Sequence, residues 1–78
     1  MTSRDAEFIN LTDTPAHPSQ EEMDAAMEKV SVMLETEWSV RRLGAQYTFR
    51  SEAGGYHKSR RRDFRVAVAD ATGLTVVK

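Results

Sequence analysis

The sequence predicts an α+β fold, one amphipathic helix packed on a three-stranded antiparallel sheet in the order αβββ, and three observations carry that expectation. Apolar residues recur at helical spacing between Met23 and Leu34, behind a capping signal. Three later segments alternate apolar and polar residues with the period of a strand. Glycine-bearing turn signals stand between those segments. In 78 residues these elements make one domain at most, and a chain of that size buries only about 60% of its unfolded surface.

Residues 1–18 precede this domain, which is expected to span 19–78. They are polar, hold both prolines (Pro15 and Pro18), and offer Phe8, Ile9 and Leu11 as apolar anchors. The segment reads as a flexible tail. The competing reading is a short edge strand over residues 7–12, disfavoured because no tight turn brings a partner to it.

The helix begins at Ser19. Ser19 can cap it, Glu22 completes a capping box, and Glu21, Glu22 and Asp24 set negative charge at the positive end of the helix dipole. Met23, Ala26, Met27, Val30, Met33 and Leu34 then form one apolar stripe, and a methionine stripe at this spacing is core before it is a binding groove. Its far end has two readings. Arg41 and Arg42 ahead of Leu43 and Gly44 resemble a basic last turn with a glycine stop, which carries the helix to residue 43; Trp38 to Arg41 also alternate like a strand. The longer helix is preferred, with Trp38 closing the core rather than anchoring a partner.

The remainder reads as sheet. Tyr47 and Phe49 alternate with Thr48 and Arg50; Phe64, Val66 and Val68 with Arg65, Ala67 and Ala69; Leu74 and Val76 with Thr75 and Val77. Asp70 can open a type I turn and Gly73 can take a left-handed position, which pairs the last two strands in a hairpin. The first hairpin admits two registers. A two-residue turn at Gly54 and Gly55 sets Phe49 opposite Arg60, whereas a longer loop sets Phe49 opposite Phe64 and Tyr47 opposite Val66. Burial favours the second, leaving residues 54–59 as a loop. The expected core is Met23, Met27, Val30, Leu34, Trp38, Tyr47, Phe49, Phe64, Val66, Val68, Leu74 and Val76.

Charge is sorted along the chain. Up to Glu37 there are nine acidic and two basic residues, a balance of −7; from Trp38 onward there are nine basic and three acidic, a balance of +6, and the formal net charge of −1 conceals the split. Such asymmetry governs encounter and association rather than fold.

The basic half supplies the candidate site. His57, Lys58, Arg60, Arg61 and Arg62 follow Tyr56 beside a glycine pair, and Arg41, Arg42 and Arg50 extend the patch if the helix end lies beside the hairpin. Guanidinium and ammonium groups displace counterions from phosphate, arginine adds a bidentate fork, and an aromatic ring offers a stacking plane. The expected partner is therefore nucleic acid or an acidic protein surface. The alternative is a small protein-interaction factor, an accessory or inhibitor of host or mobile-element machinery, that docks through its charged faces. An exposed strand edge could also pair two copies into a homodimer.

Other classes fit poorly. Ser51, Ser59, His57, Glu52 and Asp63 do not assemble into a nucleophile, base and orienting group with a rigid pocket behind them, so no enzyme and no cofactor are expected. His17 and His57 stand far apart without ligand-spaced carboxylates, so no metal is expected either. The apolar runs fall far short of the ~20 residues that span a bilayer, and the lack of cysteine suits a reducing compartment. A cytoplasmic protein without a membrane partner is the expectation.

Overall fold

The computed structural model describes residues 8–78, in the order β1 (Phe8–Asn10), α1 (Gln20–Leu34), β2 (Trp38–Leu43), β3 (Gln46–Ser51), β4 (Tyr56–Ser59), α2 (Phe64–Thr72) and β5 (Thr75–Val77). The expected class holds: α1 packs on a three-stranded antiparallel sheet ordered β2-β3-β4. The strands that compose the sheet are not those expected. A second short helix and a small parallel sheet of β1 and β5 complete the fold.

α1 starts as its sequence dictates. The Ser19 hydroxyl accepts the Glu22 N–H and the Glu22 carboxylate accepts the Ser19 N–H, the reciprocal pair that satisfies two otherwise orphaned donors. Met23, Ala26, Met27 and Val30 are buried at 3.6-residue spacing. The helix stops at Leu34, nine residues before the preferred reading placed its end at residue 43. Glu35 takes the left-handed conformation (φ 55°), and its N–H and that of Thr36 both return to the Ser31 carbonyl. Beyond Trp38 the apolar stripe would meet Arg41 and Arg42, so helix burial ends there. As a strand, the same segment turns Val40 inward instead.

α1 also clamps β2. The Ser31 hydroxyl donates to the Met27 carbonyl at 2.7 Å and accepts the Trp38 N–H at 2.9 Å, while the Gln20 amide donates to the Val40 carbonyl at 3.0 Å. Polar side chains of the helix thus occupy backbone groups along the outer edge of β2, which otherwise invite another strand.

Gly44 and Ala45 join β2 to β3 as a two-residue turn, and Gly44 has φ 63°, the sign a type II′ turn requires at its first position. Val40 then faces Phe49, Arg41 faces Thr48 and Arg42 faces Tyr47. β3 pairs with β4 through Phe49 opposite His57 and Tyr47 opposite Ser59, which is neither register weighed from the sequence. Tyr56 to Ser59 are therefore strand, not loop.

Residues 64–72 correct the sequence reading most sharply, for they are a helix and not the second strand of a hairpin. Asp63 caps α2 by accepting the Arg65 N–H, and Gly73 ends it at φ 78° with its N–H returned to the Ala69 carbonyl. Phe64, Ala67 and Val68 are buried, and Ala71 packs partly against them: a helical set at i, i+3, i+4 and i+7. β5 consequently pairs in parallel with β1, Ile9 opposite Val76, and the Leu11 N–H donates to the Val77 carbonyl at 2.8 Å. The short strand considered for residues 7–12 is present over Phe8–Asn10, while residues 1–7 of the expected tail lie outside the described residues.

α1 covers the β2 side of the sheet's inner face and α2 the β4 side. Between them Phe64 meets Tyr47 edge-on at 5.3 Å and stacks on Phe49 at 6.1 Å. Ile9, Leu11, Val40, Ala26 and Ala67 join the core without having been expected there, Leu34, Trp38 and Val76 are only partly buried against it, and Val66 is left half-exposed. Both helices lie on one face, so the other face of the sheet is open.

Candidate nucleic-acid interface

Alternation decides what the open face carries. Because neighbours across strands share a face, Val40, Phe49 and His57 point inward together, and Ser39, Arg41 and Leu43 of β2, Gln46, Thr48 and Arg50 of β3, and Tyr56 and Lys58 of β4 point outward. One cross-strand row reads Arg41, Thr48, Lys58; the next reads Ser39, Arg50, Tyr56. The twisted surface between them forms a shallow concavity of about 480 Å³. It holds three cations, an aromatic ring and small hydrogen-bonding side chains, and no acid.

Tyr56, at the β4 edge of that surface, is its one aromatic residue. The residue is 56% exposed, with the Arg50 guanidinium 5.6 Å and the Lys58 ammonium 5.7 Å from the ring centroid. Such distances lie within reach of cation–π attraction, and they hold two cations beside an accessible aromatic face.

The remaining predicted residues go elsewhere. Arg42, one position beyond Arg41, turns to the opposite side and meets Arg60, Arg61 and Arg62 around a second depression of about 280 Å³, which His17, Tyr47, Gly44 and Ala45 also line. His57 belongs to neither cluster, being half-buried on the inner face with its ring 6.3 Å from Phe49. The structure thus divides the one expected patch into a sheet face (Arg41, Arg50, Lys58) and an end cluster (Arg42, Arg60, Arg61, Arg62). Sequence reasoning offered Tyr56 as the stacking ring but missed Thr48 on the face and His17 at the end. Strand alternation from Trp38, once chosen, would have supplied Thr48; nothing in the sequence foretells His17.

Few of these charges are neutralised internally. Among the described residues the ion pairs are Arg61 with Asp70 at 2.7 Å and Arg65 with Asp63 at 2.8 Å, neither of which joins the acidic stretch to the basic one. The Asp63 carboxylate takes both arms of Arg65, and that guanidinium holds its pKa down to about 2 from the ordinary 3.8. Arg41, Arg42, Arg50, Lys58, Arg60 and Arg62 form no ion pair with any described residue. Five acidic residues, Asp24, Glu28, Glu35, Glu37 and Glu52, gather around Trp38 in a groove of about 720 Å³, and Asp24 also borders a depression that Arg41 and Arg42 line.

No protein-family model, curated protein or solved structure matches the chain. Fold and site define a small α+β domain with an open basic sheet face. Among the described residues no helix is long and apolar enough to cross a membrane, and no group of three or more histidine or carboxylate residues is placed to hold a metal ion.

Proposed function

We propose that this chain is a non-enzymatic binding module whose open sheet face holds single-stranded nucleic acid. The observation that carries the reading is the outer face itself: Arg41, Arg50 and Lys58 stand without ion-pair partners among the described residues, around an exposed Tyr56. Cations on such a face neutralise backbone phosphates, and a base stacks on the ring, a combination that single strands satisfy because their bases are not occupied by a complementary strand. Thr48, Gln46 and Ser39 add hydrogen-bonding groups between the charges. A duplex offers only its phosphates and groove edges to a flat surface, so it is the weaker ligand. Lacking cysteine, the chain suits the reducing conditions of the cytoplasm.

Salt-titrated anisotropy with single-stranded and duplex oligonucleotides tests this. Three phosphate contacts give log K against log[salt] a slope of about −2 on single strands, and the Arg41→Ala/Arg50→Ala/Lys58→Ala variant abolishes that slope together with most of the affinity. No binding at low salt, or an unchanged slope in the variant, refutes the reading.

The acidic groove beside Trp38 favours a second reading, a protein-interaction factor that receives a basic segment of a larger complex. A stoichiometric protein partner that resists nuclease and is lost on Glu28→Lys would support it.

A further inference from the structure

The end cluster is built from three separate parts of the chain and held by bonds that the sheet face does not need. The Arg61 N–H donates to the hydroxyl of buried Ser59 at 3.2 Å, fixing the exit from β4. The Phe64 N–H donates to the Ala16 carbonyl at 2.9 Å, which draws His17 against the same connection. Asp63 is locked by Arg65, and Arg61 by Asp70. Arg42 reaches the depression from β2. Arg42, Arg60 and Arg62 thus line one small concavity without an ion-pair partner among the described residues, a local concentration of positive charge that favours an anion there.

We propose that this depression seats a phosphomonoester, the terminal phosphate of a nucleic-acid strand whose body lies on the sheet face; the inference rests on that reading of the face. A monoester carries about −1.5 to −2 charges at neutral pH and three strong acceptor oxygens, whereas each backbone phosphodiester carries a single charge. Several arginines lining one small depression match the former, while cations spaced over an open surface match the latter. Position agrees. Arg42 and Arg41 are adjacent in β2 and point to opposite sides, and the depression includes the Gly44 and Ala45 turn, so it lies around the end of the sheet from the open face. A strand end can turn that corner.

The test uses the full chain and one single-stranded oligonucleotide sequence, internally labelled, with a 5′-phosphate, a 3′-phosphate, or hydroxyls at both ends. One phosphorylated end should bind about 10- to 100-fold tighter than the hydroxyl-ended strand, the range charge-assisted hydrogen bonds supply. That advantage should vanish in Arg60→Ala/Arg62→Ala, whose side chains are exposed, and persist in Arg41→Ala/Lys58→Ala, which weakens all three strands alike. Equal binding of the three strands overturns the inference and leaves the sheet-face reading standing. Failure of every oligonucleotide overturns both. Binding of a phosphoserine peptide, lost in Arg60→Ala/Arg62→Ala, with no oligonucleotide bound, also overturns it and assigns the depression to a phosphoprotein.

Discussion

Replacing Tyr56 with alanine separates the aromatic contribution of the outer face from its charge. The residue is 56% exposed and outside the core, so removal of its ring costs the fold little: strand preference spans only ~1 kcal/mol, and each of the two exposed cation–π contacts contributes about 0.5–1 kcal/mol at most. Binding is affected differently. One stacked base is worth about 1–3 kcal/mol, which at ~1.4 kcal/mol per tenfold raises Kd about 5- to 150-fold. Because no charge is removed, the salt slope of Tyr56→Ala should equal that of the parent, and Tyr56→Phe should retain most of the affinity. Fluorescence anisotropy over a series of salt concentrations measures both quantities. Unchanged affinity in Tyr56→Ala would refute the stacking role, and a slope that falls with the affinity would show that the ring acts only by positioning Arg50 and Lys58.

Phe64→Ala should destabilise the domain by about 3–5 kcal/mol in urea titrations, since the ring is wholly buried between Tyr47 and Phe49; a cost below about 1 kcal/mol would contradict its central place. Asp63 gives stability its acid limb. Its carboxyl is held at about 2 in the fold against an ordinary 3.8, so the ionised group stabilises the fold fully above that ordinary value and the contribution is lost as pH falls toward about 2. Asp63→Asn, which can still cap α2, should flatten the pH dependence of unfolding in that window while leaving a native helix signal; an acid limb unchanged from the parent would deny the Arg65 pairing.

How much of this was legible in the sequence differs by element. α1 announced itself, because Ser19 and Glu22 are local signals and Met23, Ala26, Met27 and Val30 admit one period. Residues 64–72 did not: Phe64 and Val68 are apolar positions in both a strand and a helix, and Val66 fits the strand while Ala67 and Ala71 fit the helix. What decides is the frame, Asp63 as an N-cap and Gly73 as a C-terminal stop, together with alanine's preference for helix over strand. The end of α1 failed for a related reason, since Arg41 and Arg42 before a glycine fit a helix terminus and also a strand leading into the Gly44 turn. The pairing of β1 with β5 is beyond sequence inspection, because it joins the two ends of the described chain through every other element. The site inherited these errors. Its basic residues were grouped as one patch, whereas their division into two clusters follows from strand alternation in β2, which exists only once Trp38–Leu43 is a strand.

The central claim is that the open sheet face is the binding surface, and amide chemical-shift mapping of the isotope-labelled protein during titration with a single-stranded oligonucleotide tests it most directly. The largest shifts should fall on Arg41, Thr48, Arg50, Tyr56 and Lys58, across all three strands. Shifts confined to α1 and the acidic groove around Trp38, or none on the sheet at saturating oligonucleotide, would contradict it.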